Sequence, residues 1–453
     1  MASAAEQLAA NMNVDAFRKA TELLKLIWFT VLALIVYRLG TYIPIPGIDV
    51  AAYAKIFEQQ QGGILGMFNM FSGGAVQNMA IFALNVLPYI TASIIVQIVG
   101  QVYPPWEKLR KEGGEAGRKQ LNQYTRYLTV VICLFQATSI AGLLSSQGVA
   151  LQPGISFMIT TVSVLTGGTL FLMWIGEQIT SRGVGNGVSL IIFAGIVARL
   201  PQAIGQLLTQ AQVGSISGFL VLMLAIMSVA VIIAIVFMER SQRRILIQYP
   251  KRQQGNRMFG GETSFLPLKI NTSGVMPPIF ASSLLSLPVT AMTFLATRQL
   301  PEWAGWVPTA VGQLQHGRPA YMIAYGVLIV FFTFFYTSIM FNPDETAENL
   351  RKYGGFLPGI RPGKRTAEYL DFVLTRLTVL GAAYIATVCL LPEMLMSTNP
   401  AASTLSYGIG GTSILIVVSV TMDTVAQIQS HLLAHQYEGL IKKSRLRGGK
   451  GAR

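Results

Sequence analysis

Charged residues are scarce in this chain. Asp, Glu, Lys and Arg make up 12% of its 453 residues, against about 25% in a typical soluble domain. Apolar residues make up 52%. This balance disfavours a soluble globular protein. A net charge of +14 would suggest nucleic-acid binding in a soluble protein. In a membrane protein the same excess of Lys and Arg reflects the charge of the cytoplasmic loops.

Residues that carry chemistry are also few. The two cysteines, Cys133 and Cys389, lie far apart within apolar segments, which argues against a disulfide framework or a metal cluster. Among the three histidines, His431 and His435 are four residues apart, but Leu432 stands where a zinc protease needs Glu. No phosphate-binding glycine motif is present. We therefore expect no enzyme activity, no cofactor and no metal, and a partner or an ion gradient must supply any energy that is used.

Long apolar segments account for most of the chain. Each is about 20 residues long, which is enough to cross roughly 30 Å of hydrocarbon as a helix. The first has full span length and no obvious cleavage site, so it is not predicted to be a signal peptide. The ten segments lie at 24–43, 79–100, 127–146, 155–176, 188–208, 217–238, 274–296, 321–341, 372–391 and 411–430.

Lys and Arg fall into every second gap between these segments. The N-terminal tail, gaps 2, 4, 6 and 8 and the C-terminal tail hold 29 of the 34 basic residues, counting Lys25 and Arg376 at adjoining segment ends. Cytoplasmic loops retain Lys and Arg because positive charge resists translocation. The pattern predicts ten transmembrane helices of an inner-membrane-type protein, with both termini in the cytoplasm.

Ten spans divide into two halves of five. Because five is odd, a repeat between the halves would be inverted in the membrane, and such repeats place functional sites at their interface. Proline is predicted to interrupt the second span of each half, at Pro88 and at Pro277 and Pro278. The predicted domains are a cytoplasmic amphipathic segment (1–22), the first half (23–210), the second half (211–432, with cytoplasmic loops 239–273 and 342–371) and a basic tail (433–453).

An apolar run in the first outer gap is too short to span. Residues 62–74 begin and end with glycine pairs and contain about 12 residues, roughly 18 Å as a helix. A re-entrant segment of this kind must line a cavity or be buried in protein. The alternative is an amphipathic loop on the outer surface.

Ionisable residues inside the spans are few. Asp423 lies in the last span, and Arg38 and Arg199 lie near outer ends. A charge at the bilayer centre costs at least about 2.5–3.5 kcal/mol, so such residues are functional candidates. We expect the two arginines to snorkel to the outer interface. An ion-coupled secondary transporter of a small solute is an alternative function, and a structural scaffold is a third.

Several motifs, taken in order along the chain, resemble the SecY family, which forms the protein-conducting channel of the general secretory pathway. They are FSGGA at 71–75, IFAL at 81–84, LPYITASII at 87–95, GNG at 185–187 with IIFAGIV at 191–197, RRI at 243–245, YPKRQQG at 249–255, LPLKIN at 266–271, PGIRPG at 358–363, and GGTS at 410–413 through Met422 and Asp423.

The resemblance implies an all-α clamshell of two halves around an hourglass pore. Its constriction would be a ring of aliphatic side chains: Val86, Ile90, Ile192, Ile196, Ile279 and Ile416. Val86 and Ile90, like Ile192 and Ile196, are four residues apart and so share a helix face. A hydrophobic ring can gate by dewetting. Val86 departs from the isoleucine common at its place, which would loosen the ring slightly.

The resemblance also implies a plug and a lateral gate. Residues 64–75 would be a short plug helix that closes the outer funnel, formed by Ile64, Leu65, Met67, Phe68, Met70, Phe71, Gly73 and Gly74, with the two glycines as its hinge. Spans 2 and 7 would form a lateral gate that opens toward membrane lipids. Thr91, Ser93, Ser282 and Ser283 suit a seam that parts, and they equally suit small-residue helix contacts.

The long basic loops are predicted to dock partners. Arg suits bidentate contact with phosphate and carboxylate, and the resemblance implies docking of the ribosome and of the ATPase SecA through Arg243, Arg244, Lys251, Arg252 and Arg361. The small subunits SecE and SecG would complete a heterotrimer. The expected function is a channel that moves unfolded preproteins, recognised by signal sequences, across the membrane and releases transmembrane segments sideways into lipid.

Overall fold

Helices make up most of the structure, a computed structural model that describes residues 21–59, 69, 72–111, 113–214, 217–249, 252–254, 257–259, 263–296, 311–314, 318–398 and 411–448. The helices are α1 (Thr21–Gly40), α2 (Val50–Gln59), α3 (Leu87–Val102), α4 (Pro104–Lys111), α5 (Gly114–Ser146), α6 (Ile155–Arg182), α7 (Gly187–Gln212), α8 (Gly218–Arg240), α9 (Met276–Ala296), α10 (Pro319–Met340), α11 (Pro343–Lys352), α12 (Lys364–Thr398) and α13 (Gly411–Gly448). Four short strands follow α8: β1 (Gln242–Gln248), β2 (Arg252–Gln254), β3 (Arg257–Phe259) and β4 (Thr263–Lys269).

Eight of the described helices are long and apolar enough to cross a bilayer, namely α1, α5, α6, α7, α8, α10, α12 and α13. The shorter apolar helix α3 has 16 residues and α9 has 21. Together they match the ten predicted segments. The prediction of a helical, multi-pass membrane protein is therefore confirmed. The described residues add four strands and the short helices α2, α4 and α11.

The second span begins later than its hydropathy predicted. Residues 79–86 form turns, and α3 begins at Leu87. Met79 and Asn85 have positive φ angles of 43° and 50°, which a right-handed helix does not accept. The turn is instead tied to the chain after α1, because the Ile45 amide donates to the Met79 carbonyl at 3.0 Å. An apolar stretch was thus misread as helix.

The prolines do not interrupt these two spans, so that prediction was wrong. Pro88 lies in the first turn of α3, and Pro277 and Pro278 lie in the first turn of α9. Proline lacks an amide hydrogen, and the first turn of a helix has no internal acceptor for one. The sequence signal at both places therefore marks where a helix begins.

The chain forms two compact units. The first comprises the described residues within Met1–Gln61, Leu65–Pro201 and Val420–Arg453. In it α5 packs against α3, α4 and α6, and α6 also packs against α1. Leu23 of α1, Val184 before α7 and Leu432 of α13 form a buried cluster. Residues from both ends of the described chain thus belong to one body.

The second unit comprises the described residues within Gln202–Ser419. In it α10 packs against α9 and α12, and α11 packs against α12. Strands β1 and β4 pair antiparallel from Gln242 opposite Lys269 to Gln248 opposite Thr263. Strands β2 and β3 form a separate antiparallel pair. All four strands belong to the basic loop between α8 and α9.

Candidate functional site

The six residues predicted for the pore ring are all buried, none more than 6% exposed. Four lie in the first unit and two in the second, Ile279 and Ile416. Each is an aliphatic side chain near the start of an apolar helix or, for Val86, directly before one. Burial alone is compatible with ordinary packing, so the assignment of these residues to a pore stays a prediction.

Local geometry explains how Val86 and Ile90 keep a common face although Val86 lies outside the helix. Val86 is the N-cap of α3, with φ −98° and ψ 8°, and its carbonyl accepts the Ile90 amide at 3.0 Å. This is the first bond of the helix, so the i, i+4 relation holds. In α7 the equivalent start is fixed by Asn186, whose side-chain oxygen accepts from the Val188 amide at 3.2 Å.

Most of the predicted plug lies outside the described residues, namely Ile64, Leu65, Met67, Phe68, Met70 and Phe71. Its glycines are described. Gly73 and Gly74 have φ angles of 65° and 96°, a backbone conformation that favours glycine. A methyl group added to Gly73 would lie 2.7 Å from the Cα atom of Gly195 in α7. The predicted hinge therefore packs directly against the helix that carries Ile192 and Ile196.

Residues 72–78, which we call the plug arm, are held by polar contacts that the sequence did not indicate. An Nη atom of Arg38 in α1 donates to the Gly73 carbonyl at 2.6 Å. The Tyr37 hydroxyl donates to the Ser72 carbonyl at 3.2 Å. Arg199 in α7 donates to the Gln77 side-chain oxygen at 3.1 Å and to the Asn69 carbonyl at 3.3 Å. These arginines bind protein, which differs from the predicted snorkelling.

The four lateral-gate candidates differ in their hydrogen bonds. Thr91 and Ser282 are buried, and their hydroxyls donate within their own helices, to the Leu87 carbonyl at 3.0 Å and the Ile279 carbonyl at 2.9 Å. Ser93 is half-buried and accepts from Gln97 at 3.1 Å. Ser283 is 1% exposed, and its hydroxyl has no partner within the described residues.

The two long basic loops pack together on the second unit. The Gln248 amide at the end of β1 donates to the Phe356 carbonyl at 2.9 Å, and the Phe356 amide returns a bond to Gln248 at 3.0 Å. We call β1, β4 and residues 353–363 the docking platform. Its apolar core, shared with α12, is formed by Ile245, Leu268, Leu357, Leu370, Val373 and Leu377.

Three of the five predicted docking residues are described with their side chains. Arg243 and Arg244 on β1 and Arg361 in the turn before α12 are all exposed, and none of them forms an ion pair within the described residues. Lys251 lies outside the described residues, and Arg252 lies in β2. Gly359 and Gly363, with φ of 81° and 105°, shape the turn that presents Arg361.

The docking platform is joined to α9 by a buried amide. Asn271, 3% exposed, lies two residues after β4, and its Nδ2 atom donates to a Glu239 carboxylate oxygen at 2.6 Å. Its Oδ1 atom accepts from the Ser273 hydroxyl at 3.0 Å and the Gly274 amide at 3.1 Å. These bonds fix the chain between the last strand of the platform and the first turn of a predicted gate helix.

Comparison with known proteins assigns the family. A sequence profile of the SecY family matches residues 80–425. The chain belongs to the SecY family. Its relatives include the protein translocase subunit SecY of Vibrio cholerae, 50% identical over 431 residues that cover 94% of this chain and 96% of the relative. The same subunit of Escherichia coli K12 is 48% identical over 437 residues, covering 94% and 96%.

Solved structures show that this SecY family member shares its fold with distant channels. A structure described as a protein conducting channel matches with a TM-score of 0.65 at 18% identity, covering 90% of this chain and 92% of that one. Sec61 in a canine ribosome-channel complex gives 0.61 at 18% identity, with the same coverage. Family and fold together support a protein-translocation channel, and they support neither a secondary transporter nor an enzyme.

The structure also locates the intramembrane aspartate and the two cysteines that the sequence singled out. Asp423 lies on α13 with an exposed side chain. Within the described residues no three His, Cys, Asp or Glu side chains form a group that could hold a metal ion. Cys133 and Cys389 are both buried free thiols.

Proposed function

We propose that this SecY family member is the channel-forming subunit of a membrane protein translocase, which passes unfolded preproteins across the membrane and releases transmembrane segments sideways. The observation that carries the proposal is the match to the SecY profile over residues 80–425, together with 50% identity along 94% of the chain to a protein translocase subunit. No covalent chemistry is proposed. The chain forms the path for the preprotein, and its partners supply the energy for translocation.

The proposed constriction is the ring of Val86, Ile90, Ile192, Ile196, Ile279 and Ile416. All six side chains are aliphatic and buried, so they offer no hydrogen bonds to a passing chain and exclude water when packed together. Rotamer changes in branched aliphatic side chains would let the ring widen around side chains of different size. Gly73 and Gly74, near the C-terminal end of the predicted plug, would act as its hinge.

The proposed lateral gate lies along α3 and α9. Thr91 and Ser282 bond within their own helices, so separating the helices would leave these two hydroxyls satisfied. That property suits a seam which opens to lipid, where an unsatisfied polar group is costly. Ser283 has no partner in the described residues, so it is the candidate that gains most from contact with water or substrate.

The docking platform is proposed to bind the ribosome and SecA. Its exposed arginines Arg243, Arg244 and Arg361 stand on a folded core, which makes them a fixed pattern of charge suited to phosphate and carboxylate groups. Similarity to Sec61 in a ribosome-channel complex supports the ribosome as a partner. SecE and SecG are proposed as the small subunits of a heterotrimer. Lys251 and Arg252 are proposed to extend the same surface.

The proposed topology is that of a multi-pass protein in the inner membrane of a bacterium, with both termini in the cytoplasm. The alternation of basic gaps supports it. The amphipathic segment 1–22 and the basic tail 433–453 would both lie on that side. Two inverted five-helix halves, 23–210 and 211–432, are proposed as the moving parts of the clamshell.

A reconstitution tests this function. The chain is assembled with SecE and SecG in liposomes, SecA, ATP and a labelled preprotein are added, and protease-protected preprotein is measured. We expect ATP-dependent protection, and a loss of about tenfold or more on Arg361→Glu, because a charge reversal opposes an anionic partner. Arg376→Glu, on α12 beside Phe372, is the control for reversing the charge of an arginine outside the docking platform. Absence of protection, with active control components, would contradict the proposed function.

A further inference from the structure

Two arginines from different helices of the first unit contact the plug arm. Arg38, two residues before the end of α1, donates to the Gly73 carbonyl at 2.6 Å. Arg199, in α7, donates to the Asn69 carbonyl and the Gln77 side chain. Both guanidiniums are half-buried. Placing an ionisable side chain in an apolar membrane helix costs free energy. The hydrogen bonds that such a side chain forms therefore indicate its function.

The acceptors, on Asn69, Gly73 and Gln77, belong to residues that hydrogen bonds of the described chain link together. The Asn69 side-chain oxygen accepts from the Gln77 amide at 2.9 Å, and the Gly74 amide donates to the Asn69 carbonyl at 3.2 Å. Arg199 therefore bonds the first and the last of these residues, while Arg38 bonds the one between them. These residues are linked by their own bonds and are then attached to α1 and α7 by charged donors.

No carboxylate neutralises either arginine within the described residues. Arg38 also bonds the Tyr42 hydroxyl at 2.6 Å, and its guanidinium lies 4.7 Å from the centre of that ring. Hydrogen bonds from a charged donor are about twice as strong as those between neutral groups. They can also be broken without leaving an opposite charge behind, since the carbonyls that they release can bond water. Such contacts stabilise the attached segment, and they can be exchanged for hydrogen bonds to water when the segment moves.

We propose that Arg38 and Arg199 are positioning residues that clamp the plug arm in its closed place, so that losing either one favours the open channel. The inference deepens the proposed function and rests on it. It concerns only the described residues Asn69 and 72–78 and the two arginines. The clamp is asymmetric: Arg199 makes two bonds to these residues and Arg38 makes one.

Chemical labelling of the plug arm tests the clamp without any translocation. Ser72 is 0% exposed, so a Ser72→Cys variant, assembled with SecE and SecG in vesicles, should react slowly with a membrane-impermeant maleimide. Both native thiols are buried. We expect Arg199→Gln and Arg38→Gln to raise the labelling rate about tenfold, because a charged hydrogen bond is worth about that factor or more, and we expect the double variant to raise it further.

Control variants separate the clamp from a general effect of charge or folding. Arg318→Gln removes an exposed arginine whose side chain bonds Gln313, and it should leave the rate unchanged. Arg199→Lys keeps the charge but cannot span two acceptors, so its rate should lie between the parent and Arg199→Gln. Gln77→Ala removes one acceptor and keeps both arginines, and it should raise the rate even if an arginine variant fails to assemble.

The outcomes distinguish the clamp from the proposed function. Rates equal to the parent in Arg38→Gln, Arg199→Gln and Gln77→Ala would overturn the clamp, while protected preprotein in the same vesicles would still support the channel. An equal rise in Arg318→Gln would also overturn it, because the effect would then be one of net charge. Raised rates in the three clamp variants alone would support it, whatever the result of the translocation assay.

Discussion

The docking platform is held mainly by apolar packing, whereas the plug arm combines buried side chains with hydrogen bonds from charged donors. The platform rests on a buried apolar core, and its strands pair along seven residues each. The plug arm has left-handed glycines, no strand or helix of its own, and hydrogen bonds from two arginines and a tyrosine to its backbone and to one glutamine. Both carry predicted function, and the contacts suit a proposed docking surface that keeps its shape and a proposed plug that moves.

This difference follows from what each contact costs to break. Opening an apolar core exposes surface at about 25 cal/mol per Å² and leaves cavities, so the platform must move as a body. A hydrogen bond to a carbonyl is exchanged for one to water, at a net cost of about 0.5–3 kcal/mol. The proposed docking of a large partner needs contacts of the first kind, and the proposed movement of the plug needs contacts of the second kind.

The largest effect should come from the core of the platform. Leu268→Ala removes a side chain that is 4% exposed and should destabilise the platform by about 2–5 kcal/mol. Amide hydrogen exchange in β1 should accelerate, and SecA-dependent translocation should fall at least tenfold. Phe265→Ala, at a side chain that is 55% exposed on the same strand, is the control. Similar losses in both variants would mean that the core does not hold the platform.

A smaller effect should come from the hinge of the plug arm. Gly73→Ala puts a methyl group 2.7 Å from the Gly195 Cα atom and adds about 1–2 kcal/mol of left-handed strain, so the closed arm should be displaced and the resting vesicles should leak anions. Gly74→Ala suffers the strain but meets nothing within 4 Å. If Gly74→Ala leaked as much as Gly73→Ala, contact with α7 would not be what seats the arm.

The smallest effect should come from the surface of the second unit. Lys352 forms an exposed ion pair with Glu348 at 3.3 Å in α11, and such pairs contribute about 0.2–1 kcal/mol. Lys352→Ala should therefore leave the thermal midpoint and translocation nearly unchanged. A loss comparable to that of Arg361→Glu would show that partners read the total positive charge, and that the rigid placement of particular arginines matters little.

Much of the fold was visible in the sequence, because hydropathy and the alternation of Lys and Arg report directly on membrane crossing. The strands were missed, although the signal was present: Ile245 and Ile247 alternate with less buried neighbours, as do Leu266 and Leu268. The start of α3 was misplaced because residues 79–86 are as apolar as a helix, and only their φ angles and their bonds to residues 43–45 reveal turns.

The candidate site was predictable only where side-chain chemistry declares itself. The exposed arginines of the platform, on β1 and in the turn before α12, could be named in advance. The contacts of Arg38 and Arg199 could not, since two of their acceptors are the Gly73 and Asn69 carbonyls, backbone groups that every residue carries and no sequence pattern marks. Asn271 lies within the LPLKIN motif at 266–271, but its bond to Glu239, 32 residues away, depends on how the loop between them folds.

The central claim is that a polypeptide passes the aliphatic ring. A photo-reactive residue at Ile192, 2% exposed, is compared with one at Ile233, 63% exposed on α8, while a preprotein is stalled midway through the reconstituted complex. We expect a strong crosslink from position 192 to the stalled preprotein, dependent on ATP and SecA, and none from position 233. A crosslink of equal strength from both positions, or from position 233 alone, would contradict it.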